Sequence, residues 1–116
     1  MVTDLADLTV RMREFTHARD WSRFHDLKSL TLALVGEVGE IAELIQWLSA
    51  ADANSVEAGS EPQVRLGEEV ADVLLYLVRL ADVAGVDLQL EAFKKLQANE
   101  HRFPAEAVRG VPPSHD

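Results

Sequence analysis

Residues 32–47 read Leu32-Ala33-Leu34-Val35-Gly36-Glu37-Val38-Gly39-Glu40-Ile41-Ala42-Glu43-Leu44-Ile45-Gln46-Trp47. Apolar side chains recur at helical spacing, interrupted by Glu37 and Glu40 one turn apart. The run sits inside a longer segment, from Asp26 or Leu27 to Ala50. It predicts a helix of about 36 Å at 1.5 Å per residue, enough to span a small domain. A second apolar run, Val70 to Val83, carries its own acidic pair, Glu69 and Asp72. Its Val70, Val73, Leu74, Leu75, Leu77, Val78, Leu80, Ala81 and Val83 cover far more than the single stripe of a surface helix. Such a helix must be covered on several sides, and part of that cover is expected from another protomer.

Outward from these two runs, proline and glycine fall almost entirely at Gly36/Gly39, between Gly59 and Gly67, and from Pro104 onward. Most of the remainder reads as helix. The first helix is expected from about Asp4 to Ala18, with Leu5, Leu8, Met12 and Phe15 on one face and Thr3 as its cap. An aromatic connector, Asp20 to His25, leads into the second. Ser49 to Glu61 is small and polar without periodicity, the composition of a mobile loop. Ser60 and Gln63 match a capping box, with Pro62 in the first turn, so the third helix starts there and runs to about Ala84, stopped by Gly85. Asp87 caps a fourth helix through about Arg102, which Pro104 ends. The expected fold is all-α: a four-helix bundle-like protomer in one domain over 1–104, with a frayed tail over 105–116 containing Pro112-Pro113.

A chain of 116 residues holds one ordinary domain, and 47% hydrophobic with 27% charged residues is the balance of a folded protein. Twenty acids against eleven bases give a net charge of -9, which repels phosphate backbones and anionic membranes. No nucleic-acid polymer is expected as a partner. Absence of cysteine excludes a disulfide framework, a thiolate zinc site and a cysteine nucleophile, and suits a reducing, cytoplasmic setting. The richest apolar stretch, Val70 to Val86, is cut by Asp72, Arg79 and Asp82, and no basic-then-apolar leader opens the chain, so neither export nor membrane spanning is expected.

Each acidic pair is spaced i,i+3, which places both members on one helix face with Cβ atoms about 5–6 Å apart. Antiparallel neighbours have axes about 8–10 Å apart, so Glu37, Glu40, Glu69 and Asp72 can converge. Without a cation such a cluster repels itself and forces protonation, whereas oxygen-rich sites suit hard ions such as Mg²⁺. Acidic pairs also occur on plain solvated faces. Here they interrupt apolar runs where leucine or alanine would serve a structural helix better. Gly36 and Gly39 each cost the helix about 1 kcal/mol relative to alanine, which suggests close approach of a backbone or ligand.

The run 32–47 resembles the signature helix of the all-α nucleoside triphosphate pyrophosphohydrolases, the MazG-like superfamily, and within it the dCTP pyrophosphatase branch. The resemblance lies in an ExxE pair, Glu37/Glu40, followed by an ExxD pair, Glu69/Asp72. It continues through Asp72-Val73-Leu74-Leu75-Tyr76-Leu77-Val78 and the KxxxNxxR segment Lys95 to Arg102, with Arg19-Asp20-Trp21 and Phe24-His25 upstream. It covers roughly Leu5 to Pro104. What it implies is Mg²⁺-dependent cleavage of a nucleoside triphosphate, with Mn²⁺ as a substitute ion, between the α and β phosphates. The products would be the monophosphate and pyrophosphate, a house-cleaning activity on dCTP or a modified dCTP. By the same likeness Glu37, Glu40, Glu69 and Asp72 are metal ligands and the catalytic set, one of them doubling as base for the attacking water. The family also implies a dimer or a dimer of dimers, the tetramer being favoured.

Lys95, Asn99 and Arg102 lie on one face of the fourth helix and are either a solvated stripe or donors to phosphate oxygens; the resemblance favours the second. Trp21, His25, Trp47 and Tyr76 are the candidates for the base. Trp21 and Trp47 are expected to be stacking walls and His25 an edge contact, against ordinary packing for any one aromatic. Met12 stands where relatives have histidine and Phe103 where they have tyrosine, and Leu27-Lys28-Ser29 replaces Pro-Arg-Asn. His17, His101 and His115 read as surface residues. A di-iron bundle needs two Glu-x-x-His pairs, and only Glu14-Phe15-Thr16-His17 fits. The remaining alternative is a non-enzymatic acidic helical interaction module.

Overall fold

The computed structural model describes residues 4–112. Among them there is no strand, and the helices run α1 (Leu5–Ala18), α2 (Leu27–Ile45), α3 (Ala50–Asn54), α4 (Glu61–Val83), α5 (Leu88–Arg102) and α6 (Ala105–Val108), with a 3₁₀ turn at Ser22–Phe24. The all-α reading holds.

Short-range chemistry sets the boundaries. Asp4 caps α1 by accepting the Asp7 N–H at 2.9 Å; Thr3, expected in that place, lies outside the described residues. Asp26 caps α2 through the Ser29 N–H at 2.7 Å and the Ser29 hydroxyl at 2.8 Å. Ser60 caps α4, yet the box is not reciprocal: the Gln63 side chain accepts from the Gly59 N–H instead of from Ser60. At the far end of α4, Gly85 takes φ 73°. The Val86 N–H reaches the Ala81 carbonyl at 2.8 Å and the Gly85 N–H the Asp82 carbonyl at 3.1 Å, a closure that only a left-handed residue completes without strain. Asp87 caps α5 through the Leu90 N–H at 3.0 Å.

Three boundaries differ from expectation. The second helix ends at Ile45, not Ala50, because Ser49 caps a fresh short helix, α3, inside the segment expected as loop. Past Pro104 the segment expected as tail opens with a single helical turn, α6; His115 and Pro113 lie outside the described residues.

The packing is also looser than a closed four-helix bundle. α4 packs most extensively on α2 and then on α1, while α5 meets α1 and α4 only sparingly. The radius of gyration is 17.3 Å, against about 13 Å for a compact chain of this length. Among the described residues the buried apolar core is Leu30, Val78 and Ala81 alone. Leu32 and Val35 on α2, Val70 on α4 and Phe93 and Leu96 on α5 are each half exposed or more. An alanine methyl at Gly36 or Gly39 would meet nothing within 4 Å, so the close approach expected there is not made within this chain.

Candidate metal centre and adjoining cavity

α2 and α4 lie side by side, and their acidic pairs fall on the facing surfaces. One carboxylate oxygen from each of Glu37, Glu40 and Glu69 lies within 4.8 Å of the others. Glu37 and Glu69 are half-buried and Glu40 is exposed. The Oε2 atoms of Glu37 and Glu69 are closed off from solvent and have no hydrogen-bond partner among the described residues. A buried carboxylate oxygen with no donor is costly, and a bound cation relieves that cost.

The electrostatics agree. Glu69 has its pKa pushed up to about 7, first by Glu40, with which it can share a proton, then by desolvation and by Glu37. Desolvation raises the pKa of Glu37, reinforced by the charges of Glu40 and Asp72. Neutral-pH chemistry therefore leaves this cluster competing between protons and a cation. Among the described residues no arginine or lysine forms an ion pair with these four carboxylates. The donor set, all oxygen, matches a hard divalent ion.

Asp72 lies one turn beyond Glu69 and opens onto a cavity of about 730 Å³ between α1 and α4. Met12, Phe15, Trp21, His25 and Tyr76 share its lining with Asp72. The Trp21 and Phe15 rings meet edge to face at 5.8 Å. Trp21 is held by its backbone N–H, which donates to the Thr16 carbonyl at 3.0 Å. On the other side, Glu40 and Glu69 face a second opening of about 460 Å³ lined also by Glu43, Leu44 and Arg65. The carboxylates thus stand between an aromatic cavity and a polar mouth.

Of the sequence-predicted residues, the fold brings together Glu37, Glu40 and Glu69 in one cluster, and Trp21, His25, Tyr76 and Asp72 around one cavity. It does not bring Trp47 to Trp21: Trp47 is 88% exposed beyond the end of α2 and lines neither cavity. Nor do Lys95, Asn99 and Arg102 on α5 line either one. Asn99 is half-buried, Lys95 exposed, and the Arg102 guanidinium lies 5.0 Å over the Phe103 ring.

Sequence reading missed Arg79 and Arg65. Arg79 is buried, donates from Nε to His25 Nδ1 at 3.0 Å and from Nη1 to Asp82 at 3.2 Å. The available signal was a charge inside the apolar run 70–83, where only a paired cation is tolerated.

The MazG nucleotide pyrophosphohydrolase domain family matches residues 25–104. Human dCTP pyrophosphatase 1 is 46% identical over 107 residues, 90% of this chain and 62% of that protein. The rat dCTP pyrophosphatase 1 is 43% identical over 106 residues, 91% of this chain and 62% of its own length. The chain therefore spans less than two thirds of these relatives. A pyrophosphatase from Archaeoglobus fulgidus, known from its crystal structure, superposes with a TM-score of 0.74 at 31% identity, covering 90% of this chain and 95% of the other.

Proposed function

Because the chain belongs to the MazG nucleotide pyrophosphohydrolase family, we propose that it hydrolyses a deoxynucleoside triphosphate, dCTP or a 5-substituted relative, to the monophosphate and pyrophosphate with Mg²⁺. The observation that carries this is the convergence of Glu37, Glu40 and Glu69 within 4.8 Å, with donorless buried oxygens on Glu37 and Glu69. Likeness to the dCTP pyrophosphatases supports the substrate.

Glu37, Glu40, Glu69 and Asp72 would hold the divalent ion, Mg²⁺ or in its place Mn²⁺. When bound, such an ion would supply Lewis acidity toward water and positive charge to offset that of the triphosphate and the leaving pyrophosphate. One carboxylate of the set takes the proton as water oxygen bonds to the α phosphorus; the bond from that phosphorus to the α,β-bridging oxygen breaks, and pyrophosphate leaves with the electron pair. The cavity beside Asp72 takes the base. Trp21 and Tyr76 offer aromatic surface there, and His25 a polar edge. Lys95, Asn99 and Arg102 serve the phosphates, and Trp47 the base, once a second protomer closes the site.

That last step ties function to assembly. With only Leu30, Val78 and Ala81 buried and apolar among the described residues, and Leu32, Val35, Val70, Phe93 and Leu96 exposed, the protomer is short of a core. We read it as half of a dimer, in turn paired into a tetramer. No helix among the described residues is long and apolar enough to cross a membrane. The acidic surface argues against a nucleic-acid polymer as partner, and lack of cysteine suits the cytoplasm.

The test is an assay of purified protein on dCTP, dTTP, dUTP and dATP with Mg²⁺ and with excess chelator. Metal-dependent release of pyrophosphate, fastest from dCTP, is expected. Failure to bind both Mg²⁺ and a non-hydrolysable nucleotide in calorimetry would leave the acidic interaction module standing instead.

A further inference from the structure

His25 stands among the aromatic residues of the cavity beside Asp72, and its ring is not free to choose its protonation. The Arg79 Nε–H donates to Nδ1 at 3.0 Å. A nitrogen that accepts an N–H carries no proton, so the neutral imidazole bears its hydrogen on Nε2. Arginine is never a base at accessible pH, so this donor is permanent. The Arg79 side chain is only 8% exposed, and its Nη1 is fixed by Asp82 at 3.2 Å. Asp82 is gripped in turn by Arg13 of α1, Nε to Oδ2 at 2.9 Å and Nη2 to Oδ1 at 2.7 Å. The backbone holds the other end, since the His25 N–H donates to the Ser22 carbonyl at 3.1 Å. Nε2 has no partner among the described residues.

We propose that Arg79 is a positioning residue for base selection: it locks His25 as the Nε2–H tautomer, so that the cavity presents a hydrogen-bond donor to a pyrimidine edge carrying an acceptor, an inference that rests on assigning this cavity to the base. Burial of the ring, then the Arg79 charge, lower the pKa of His25, which keeps the ring neutral. O2 accepts in cytosine, thymine and uracil alike, so the discrimination is made at N3, which is an unprotonated acceptor in cytosine and is where the His25 Nε2–H must point. Thymine and uracil carry a proton on N3, which would meet the His25 donor head-on. The lining holds the rings of Trp21, Phe15 and Tyr76 together with Arg11, Glu14, Thr16 and Asp72; a His25 donor set against a protonated N3 loses its partner on the base, which is how a polar group discriminates where stacking cannot. Loss of Arg79 would let the imidazole sample both tautomers and accept as readily as donate.

The experiment uses the full chain labelled with ¹⁵N-histidine. Long-range ¹H–¹⁵N correlations at about pH 7.5 read the tautomer of His25, assigned by the peak missing in His25→Asn. A bare Nδ1 and protonated Nε2 in the wild type are expected; the reverse tautomer or an imidazolium overturns the proposal without any variant needing to fold. Arg79→Met should show a tautomer mixture. Its KM for dCTP should rise about 10-fold with kcat within about twofold, the loss of one good hydrogen bond, and its preference for dCTP over dTTP should fall by a similar factor. Arg79→Lys, which keeps a donor, should restore part of both. A folded Arg79→Met with unchanged tautomer and unchanged preference overturns the role of Arg79. Addition of α,β-methylene dCTP should move the His25 Nε2 signal. If hydrolysis proceeds while that signal stays still, the cavity is not the base site and both readings fall; if the signal moves but Arg79→Met selects as wild type does, only the inference on Arg79 falls.

Discussion

Arg13 and Asp82, 69 residues apart in sequence, form a two-pronged ion pair with N to O distances of 2.9 and 2.7 Å that joins α1 to α4. The same carboxylate also holds Arg79 at 3.2 Å. The two partners of Asp82 differ in surroundings: the Arg13 side chain is 56% exposed, that of Arg79 only 8%. Removal of Arg13 leaves a solvated gap, whereas removal of Asp82 strands a buried guanidinium. Asp82→Ala should therefore destabilise the protein by about 3 kcal/mol, and Arg13→Leu by clearly less. Urea denaturation of both variants checks the order, and equal losses would contradict it.

The acidic cluster predicts an unusual pH dependence for the metal-free protein. Glu69, with a folded pKa of about 7, and Glu37, also raised, bind protons more tightly folded than unfolded. Their contribution is full below the ordinary carboxylate range, near pH 4.5, and is lost as pH rises through about 7. His25, with a lowered pKa, and Asp82, lowered by Arg13, contribute in the opposite sense. The comparison that isolates the cluster is wild type against Glu69→Gln in chelator. Melting temperature should fall between pH 4.5 and 7 more steeply in the wild type, and added Mg²⁺ should remove the difference. Parallel curves would show that these carboxylates are ordinary.

Metal and product chemistry follow from the same residues. Glu40→Gln and Asp72→Asn should each lower kcat by about 10²-fold or more, with the fold intact by circular dichroism. Wild-type turnover in excess chelator would count against a metal site. The first phosphorus-containing products from dCTP should be dCMP and intact pyrophosphate, resolved by ³¹P NMR; orthophosphate as the primary product would place attack at the γ phosphorus instead.

The exposed apolar residues of α2 predict self-association. Leu32 and Val35 are each 62% exposed on α2, and a glutamate at either position should introduce a charge into a dry contact. Leu32→Glu or Val35→Glu should shift light-scattering mass to that of a monomer at micromolar concentration and take most of the activity with it. A wild-type protein that is already monomeric and active would refute this. Trp47 supplies an optical readout: 88% exposed in one protomer, it should emit at shorter wavelength in the assembled wild type than in the monomeric variant. Trp47→Ala should raise KM and blur base preference while leaving pyrophosphate release working; an unchanged profile would assign it no role at the base.

The sequence alone determined the four longer helices and the pairing of acids within α2 and α4, though not the short α3 and α6. Capping residues such as Asp26, Ser60 and Asp87 act on N–H groups three residues away, and the i,i+3 spacing of Glu37/Glu40 and Glu69/Asp72 is a property of the helix itself. Boundaries that hinge on competition between overlapping signals, such as the end of α2 against the start of α3, were less legible. Only the tertiary structure decided which side chains from different helices meet. It placed Glu69 against Glu37 and Glu40, opened the cavity between Trp21 and Asp72, and turned Arg79, a residue that interrupts an apolar run, toward His25, 54 positions earlier. It also left α5 with Lys95, Asn99 and Arg102 outside both cavities and Trp47 in solvent. The physical reason is range: propensity and capping are fixed within a turn or two of helix, whereas convergence depends on how helices of given length cross and on what covers their apolar faces.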